Sequence, residues 1–311
     1  MIKLIKPNFW NKKTNIFTVI LIPFSLISFL IITIKKKIAK LRSFKIPIIC
    51  VGNIYAGGTG KTPISIHIAK ELLQKGMKPV ILRKFYKNHN DEYKLIKNKF
   101  KNLLLDKNRI NALNKLEVSD HDVVILDDGL QDYRIKKDLK IVCFNQNQLI
   151  GNGFILPSGP LREGLGALKD VDMVLINGDE DEKFTKKILD INNNLRIFYY
   201  SYEPVNLGEF KNKKLFAIAG IAHPENFFQI LERNKLKVEK KLIFPDHYNF
   251  SRKEIEEILR EAESKDFQII MTEKDYFKID HFNLEKIKYL KILLKVDNQE
   301  IFIDEIRKLI Q

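Results

Sequence analysis

The hydrophobic positions in the first 180 residues form short apolar runs, and helical patterns separate some of these runs. The runs lie at 46–51, 80–82, 123–126, 141–144 and 173–176, with amphipathic helical patterns at 64–74 and 108–116. Short apolar runs that alternate with helices are typical of parallel strands joined by helical crossovers. This half of the chain is therefore predicted to form a mostly parallel sheet with helices on both faces.

The second half of the chain repeats the alternation on a smaller scale. Strands are predicted at 215–219, 238–244, 268–271 and 289–296, with a helix that begins near Pro224 and another at the end of the chain. Ser251 and Glu254 form a capping box ahead of a further amphipathic helix. The overall prediction is an α/β protein with two lobes, at 45–180 and 213–311, joined by a polar connecting region at 181–212.

The N-terminal region contains an unusually long apolar segment. Residues 16–34 carry no charge, and lysines flank them on both sides, at Lys12, Lys13, Lys35, Lys36 and Lys37. A helix of this length would measure about 28 Å, close to the hydrocarbon thickness of a bilayer. Core helices rarely run so far without a charged face, so membrane contact is favoured over a buried core helix. Residues 1–44 are predicted to form a membrane-associated helix with a basic flank, which either spans the bilayer or lies in one leaflet.

Charge and cysteine content narrow the choice of partners and compartment. The chain has 54 Lys and Arg against 39 Asp and Glu, a net charge of +15. Such an excess favours anionic partners, among them phosphorylated substrates and acidic membrane surfaces. The two cysteines, Cys50 and Cys143, lie inside apolar runs, which excludes a disulfide scaffold and fits a reducing cytoplasm.

A glycine-rich loop stands between the first predicted strand and the first predicted helix, where residues 51–62 read VGNIYAGGTGKT. This is the context of a phosphate-binding loop (P-loop), in which backbone N–H groups and a helix N-terminus cradle phosphates. Tyr55 stands where the usual pattern has glycine, so the bending is expected at Gly52, Gly57 and Gly58. The predicted nucleotide-binding residues are Gly52, Asn53, Tyr55, Ala56, Gly57, Gly58, Thr59, Gly60, Lys61 and Thr62.

A second motif follows the apolar strand at 123–126, which ends in Asp127 and Asp128. An apolar strand that ends in carboxylates is typical of a Walker B motif, where an aspartate holds Mg²⁺ directly or through water. Together with the Thr62 hydroxyl, these carboxylates are predicted to bind Mg²⁺. Gln131, in the loop that follows, is a candidate for orienting a phosphate or a water molecule at the nucleotide site, and the alternative is a solvated side chain.

Several further blocks resemble one known family, the tetraacyldisaccharide 4′-kinases of lipid A biosynthesis. They are VGNIYAGGTGKTP (51–63), DDGLQD (127–132), GNGFILPSGPLRE (151–163), AGIAHPENFF (219–228), FPDHYNF (244–250) and TEKD (272–275). The blocks run through nearly the whole chain, and an apolar N-terminal helix ahead of the P-loop is also similar to the family. The resemblance implies a P-loop NTPase-like sheet and an ATP- and Mg²⁺-dependent kinase.

The resemblance also implies a reaction and a site. Members of that family phosphorylate the 4′-hydroxyl of a lipid disaccharide 1-phosphate and give lipid IVA at the cytoplasmic face of the inner membrane. By matching motifs, Lys61, Arg162 and Glu163 would lie at the active site, with Asp91 as the catalytic base and His247 as its support. An aspartate oriented by a histidine can accept the proton of a sugar hydroxyl as the phosphoryl group arrives. The anionic membrane surface would be the second partner.

Two alternatives to a kinase are a switch ATPase and a nucleic-acid-binding protein. A membrane-associated switch ATPase of the partitioning or targeting type has a deviant P-loop with a signature lysine, and Ala56 occupies that position here. A nucleic-acid binder ranks last because the basic residues are dispersed and no stacking, zinc or helix-turn-helix motif is present. The sequence leaves the oligomeric state open, a monomer included.

Overall fold

A computed structural model of the chain describes residues 7–12, 15–87, 89–221, 223–246, 248–282 and 284–310, with the backbone alone at 90 and 91. The chain divides into two compact units. The large unit comprises residues 1–84, 102–201 and 296–311, and the small unit comprises residues 85–101 and 202–295.

The described chain is built of α-helices and β-strands. The helices are α1 (Ile16–Ile38), α2 (Lys61–Gln74), α3 (Asn90–Lys99), α4 (Arg109–Leu116), α5 (Glu182–Leu189), α6 (Pro224–Arg233), α7 (Arg252–Ser264), α8 (Glu273–Ile279) and α9 (Gln299–Ile310). The strands are β1 (Ile48–Gly52), β2 (Pro79–Lys84), β3 (Leu103–Asp106), β4 (Val123–Asp127), β5 (Leu139–Asn145), β6 (Met173–Asn177), β7 (Arg196–Pro204), β8 (Lys214–Ala219), β9 (Lys237–Ile243), β10 (Gln268–Thr272), β11 (Ile287–Leu290) and β12 (Ile292–Val296).

The larger sheet has eight strands in the order β12-β7-β6-β5-β1-β4-β2-β3. The pairings from β7 across to β3 are parallel, in agreement with the prediction of a mostly parallel sheet. The strand order reverses at β1, which lies between β4 and β5. In open parallel sheets, ligands bind beyond the carboxyl ends of the strands at such a reversal. The glycine-rich loop leaves β1 at this point.

Helices cover both faces of this sheet. On one face, α2 packs against β1, β2 and β4, and α9 packs against α2 and β5. On the other face, apolar residues of α4 and α5, such as Leu113 and Phe184, join Cys50 and Leu126 of the strands in one buried cluster. Because β1 and β4 are buried on both faces, their sequences are continuous apolar runs rather than alternating ones. The predicted fold class is confirmed.

The small unit is built on a parallel four-stranded sheet in the order β11-β10-β8-β9. Phe227 and Leu231 of α6 pack on one face of β8. Ile255 and Ile258 of α7 pack on the other face, and the predicted capping box of Ser251 and Glu254 is present. This sheet is therefore also covered by helices on both sides.

The structure differs from the sequence prediction in the regions between and beyond the lobes. Residues 181–212, expected to be a connection, contain α5 and β7, and β7 is the neighbour of β6 in the larger sheet. Residues 289–296, expected to be one strand, form two strands that belong to different sheets. In addition, residues 85–101 belong to the small unit and 296–311 to the large one, because their helices pack there. The expected lobes at 45–180 and 213–311 were continuous in sequence, and the observed units are not.

Helix α1 has its polar and apolar faces reversed relative to a helix of a water-soluble protein. Its buried residues are Thr18 and Ser25. Twelve of its large apolar side chains are exposed by between 47% and 70%, and they are Ile16, Phe17, Val19, Ile20, Phe24, Leu26, Ile27, Phe29, Leu30, Ile31, Ile34 and Ile38. By length and composition, α1 is apolar enough to cross a membrane, with a mean hydropathy of 2.6 over its best 18 residues.

The polar face of α1 lies against the loop that carries the GNGFILPSGP block. Ser25 Oγ lies 2.8 Å from both the Ile155 carbonyl oxygen and Ser158 Oγ, and it accepts from the Ser158 N–H. Ahead of the helix, the indole N–H of Trp10 donates to the carbonyl of Pro157. The helix is thus attached to the large unit through polar contacts, while most of its apolar surface is left uncovered.

Candidate active site

The P-loop turns from β1 into α2 through two glycines with left-handed backbone. Gly57 has a φ of 132° and Gly60, the residue before the helix, has a φ of 85°. Gly52 and Gly58, which were also expected to bend the loop, do not have positive φ; Gly52 is required because a Cβ there would lie 2.6 Å from Leu130 Cβ. The buried side chain of Asn53 closes the loop by donating to the Gly57 carbonyl and to Thr59 Oγ1.

At the position where Tyr55 replaces the usual glycine, the P-loop forms a short backbone pairing with residues 160–162. Tyr55 and Leu161 form an antiparallel bridge. The Ala56 N–H donates to the Pro160 carbonyl, and the Arg162 N–H donates to the Ile54 carbonyl, both at 2.7 Å. The Tyr55 side chain is 2% exposed. The LPSGPLRE block therefore supports the P-loop and delivers Arg162 and Glu163 to it.

The first carboxylate of the Walker B motif, Asp127, is completely buried at the end of β4. Thr62 Oγ1 donates to Asp127 Oδ2 at 3.1 Å, and Ser65 Oγ donates to Asp127 Oδ1 at 3.0 Å. The guanidinium of Arg83 pairs with Asp127 Oδ2 and also donates to Thr62 Oγ1. Asp127 thus connects the first turns of α2 with the end of β2.

The second carboxylate, Asp128, faces the cations of the site. Its backbone is left-handed, with a φ of 54°, and its N–H donates to the Val51 carbonyl. Asp128 Oδ1 lies 3.2 Å from the Arg162 guanidinium and 3.6 Å from Lys61 Nζ. Burial alone would raise the pKa of Asp128, but four nearby cations together outweigh burial, so the pKa lies below the ordinary value; they are Lys61, Arg162, Arg83 and Arg109. Burial also lowers the pKa of Lys61, and Asp128 opposes that shift.

Two arginines complete this cluster, and the sequence reasoning assigned neither of them. Arg109 of α4 is buried and donates to the backbone carbonyls of Asp127 and Asp128, at 3.2 and 2.7 Å. Arg83 lies directly beside Asp127 in the β2–β4 register. Arg83 could have been found from its position, because it is a charged residue at the end of a buried strand next to the Walker B strand. Arg109 stands inside a helical pattern and gave no such signal.

Gln131 connects the P-loop with Glu163. Its side-chain amide donates to the Asn53 carbonyl at 3.0 Å and to Glu163 Oε1 at 2.9 Å. Glu163 is 3% exposed, and Lys36 Nζ of α1 lies 2.6 Å from its Oε2. Gln131, predicted to orient a phosphate or water, is thus bonded to the protein itself in this structure.

The small unit holds the segments of the two residues expected to move the proton. Asp91 lies in the first turn of α3, past the N-cap position at His89, and His247 lies outside the described residues. Their sequence neighbours Glu92 and Asp246 both lie near Lys274 Nζ, at 3.8 and 3.1 Å from it. Lys274 belongs to the TEKD block at the start of α8.

The donor set suits a nucleotide with a hard metal ion. Left-handed glycines at a helix N-terminus turn backbone N–H groups toward a phosphate, and Lys61 adds a positive charge. Thr62 Oγ1 and the Asp127 carboxylate offer the oxygen ligands that Mg²⁺ prefers. Within the described ranges, no group of three His, Cys, Asp or Glu residues forms a metal site of its own.

Comparison with known proteins identifies relatives over the whole chain. The family model described as tetraacyldisaccharide-1-P 4′-kinase matches residues 17–311. The tetraacyldisaccharide 4′-kinase of Pelagibacter ubique is 43% identical, over 99% of this chain and 98% of its own. The enzyme of the same name from Rickettsia akari is 31% identical over the same shares of the two chains. The crystal structure of LpxK from Aquifex aeolicus in complex with ATP has the same fold, with a TM-score of 0.72, 23% identity, and coverage of 94% of this chain and 99% of its own.

Proposed function

The chain belongs to the tetraacyldisaccharide-1-P 4′-kinase family, and we propose that it transfers the γ-phosphoryl group of ATP to the 4′-hydroxyl of a tetraacyldisaccharide 1-phosphate. The product of this step of lipid A biosynthesis is lipid IVA. The observation that carries the proposal is the joining of the P-loop, Asp127 and Asp128 with Arg162 and Glu163 of the LPSGPLRE block. A general P-loop ATPase requires the P-loop and the Walker B carboxylates, but it does not require the LPSGPLRE block.

The large unit binds the nucleotide in this proposal. The P-loop residues 52–62 hold the phosphates, and Lys61 and Arg162 neutralise the charge of the transferred phosphoryl group. Thr62 and Asp127 hold Mg²⁺, with Asp128 beside them. When bound, the metal polarises the phosphate oxygens and balances their charge. Arg83 and Arg109 hold the two aspartates in position through the contacts described above.

The acceptor hydroxyl is activated by Asp91, with His247 orienting it. As the oxygen of the 4′-hydroxyl forms its bond to the γ-phosphorus, the bond from that phosphorus to the bridging oxygen of ATP breaks. The hydroxyl proton passes to the Asp91 carboxylate, and ADP leaves. Lys274 supports this assignment because it draws Glu92 and Asp246, the sequence neighbours of the two residues, to a single ammonium group.

Helix α1 provides the membrane contact, and we place the protein at the cytoplasmic face of the inner membrane. The exposed apolar face of α1 would enter the acyl-chain region, and Lys35 and Lys37 at its end would meet anionic headgroups. Ser25, in the middle of the helix, is bonded to Ile155 and Ser158 of the large unit. A spanning orientation would carry that loop into the hydrocarbon, so we propose that α1 lies in one leaflet. The lipid substrate would then reach the site from the same leaflet.

The test uses γ-labelled ATP and the purified protein in detergent micelles that contain the tetraacyldisaccharide 1-phosphate. We expect label on the lipid, dependent on Mg²⁺, and a loss of about 10³-fold or more in Lys61→Ala because the charge on the phosphates is removed. Label released only as inorganic phosphate would contradict the proposal. The membrane-associated switch ATPase would then be the better description.

A further inference from the structure

Glu163 has three polar neighbours, two from the loop that follows β4 and one from α1. Gln131 donates to its Oε1 at 2.9 Å, and Lys36 Nζ lies 2.6 Å from its Oε2. The Tyr133 hydroxyl also bonds the Glu163 carboxylate, and burial together with that carboxylate raises the pKa of Tyr133. A carboxylate that is 3% exposed needs such partners, because burying an unpaired charge is costly. Among these partners, Lys36 supplies the positive charge.

Lys36 is placed by the face of α1 that contacts the rest of the large unit. It follows Thr18 and Ser25 by 18 and 11 residues, about five and three helical turns, so the three residues share one face. The ammonium group of Lys36 also lies 5.2 Å from the centre of the Tyr133 ring. The attachment of the helix through Ser25 therefore fixes where Lys36 can reach.

A continuous set of contacts connects Lys36 with the nucleotide loop. Lys36 contacts Glu163, Glu163 accepts from Gln131, and Gln131 donates to the carbonyl of Asn53 in the P-loop. Glu163 also follows Arg162, whose N–H bonds the Ile54 carbonyl. The end of the apolar helix is thus two side chains away from the backbone that cradles the phosphates.

We propose that Lys36 is a positioning residue for the kinase site: it holds the Glu163 carboxylate in place from the end of the membrane-facing helix. The proposal rests on the kinase function proposed above and assigns no direct contact with substrate to Lys36. Without the ammonium group, a buried carboxylate must move toward another cation or take up a proton. Either change weakens the acceptor that orients Gln131, and with it the support of the P-loop.

The experiment compares Lys36→Met with Lys37→Met in the lipid phosphorylation assay with neutral detergent micelles. Both variants remove one positive charge from the last turn of α1, but the described ion pair to Glu163 involves Lys36. At saturating ATP and lipid, kcat of Lys36→Met is expected to be about tenfold below that of Lys37→Met, with equal KM for lipid in the two variants. Lys36→Arg, which keeps the charge, is expected to recover most of the activity.

A double-mutant cycle identifies the residue through which Lys36 acts. In a Glu163→Gln background, Lys36→Met is expected to change kcat by less than about twofold, since the charge that it positions is already gone. Equal kcat for Lys36→Met and Lys37→Met would overturn the proposal, and so would a tenfold loss that persists in the Glu163→Gln background. Lipid phosphorylation by the unaltered enzyme tests the kinase function separately, so the two failures are distinguishable.

Discussion

Replacing Tyr55 by glycine would restore the usual P-loop pattern, and we expect this change to destabilise the protein. Tyr55 is 2% exposed, and its backbone is paired with Leu161. A buried aromatic side chain of this size removes about 150–250 Å² from water, which at about 25 cal/mol per Å² gives an upper value of about 4–6 kcal/mol. Large-to-small aromatic substitutions in cores cost about 3–5 kcal/mol, and glycine adds about 0.5–1 kcal/mol through the entropy of the unfolded chain. The expected loss is about 4–5 kcal/mol.

Urea-induced unfolding, followed by far-UV circular dichroism, measures this loss. Tyr55→Phe is the matched control, because it keeps the ring and removes only the hydroxyl, with an expected cost below about 1.5 kcal/mol. At a temperature where Tyr55→Gly is still folded, KM for ATP is expected to rise, since the loss of the buried side chain leaves the P-loop less firmly held against the core.

If Tyr55→Gly unfolded within about 1 kcal/mol of Tyr55→Phe, the burial of the ring would not stabilise the fold as reasoned here. An unchanged KM for ATP in a destabilised variant would separate the effect of Tyr55 on stability from its effect on ATP binding. It would mean that Tyr55 contributes to the core alone and that the shape of the loop is set by Gly57, Gly60 and Asn53.

Three further predictions concern other parts of the molecule. In a steady-state assay, Lys274→Met is expected to lower kcat about tenfold with little change in KM for ATP, since its partners Glu92 and Asp246 then separate. The control is Lys265→Met, which removes an exposed ion pair and should behave as the unaltered enzyme. Burial lowers the pKa of His67 to about 4, so the unfolded chain takes up a proton first as pH falls below about 6.5. The resulting loss of about 2 kcal/mol at pH 5 relative to pH 7.5 should be absent from urea titrations of His67→Gln. Deleting residues 1–40 is expected to move the protein from sedimenting anionic vesicles to the supernatant, and full sedimentation of the shortened protein would place the anchor elsewhere.

The elements that could be predicted well from the sequence are those whose residues themselves determine the structure, such as an apolar run or a capping box. Strand β1 and strand β4 are uninterrupted apolar runs because they are buried on both faces, and the capping box at Ser251 begins α7. Strand β7 was missed because it reads RIFYYSYEP, in which polar and aromatic residues are mixed, after a polar helix. The division at Leu290 was missed because the strands on either side of Lys291 are apolar alike, and nothing local separates them into two sheets.

The site was predictable in its motifs but not in its supports. The P-loop residues Lys61 and Thr62 and the two carboxylates of the Walker B motif follow from a loop and a strand end whose chemistry is local. The structure pairs Lys61 with Asp128 and bonds Thr62 to Asp127. Arg109 and Lys36 contact the same site, although in the sequence Arg109 belongs to an ordinary helical pattern and Lys36 to a basic flank. Their role depends on which distant backbone they meet in the folded chain. Composition and periodicity carry no information about such contacts.

The fluorescence of Trp10 can report on the attachment of α1 to the large unit. Trp10 is the single tryptophan of the chain, and its indole N–H is bonded to the Pro157 carbonyl of the loop on which α1 rests. Excitation at the red edge of protein absorbance therefore reports on this one location without labelling. The emission maximum, its polarisation and its quenching by brominated lipids would follow how the N-terminal segment moves as vesicles, nucleotide or substrate are added. The enzyme thus contains its own fluorescent probe for the order in which membrane and ATP are engaged.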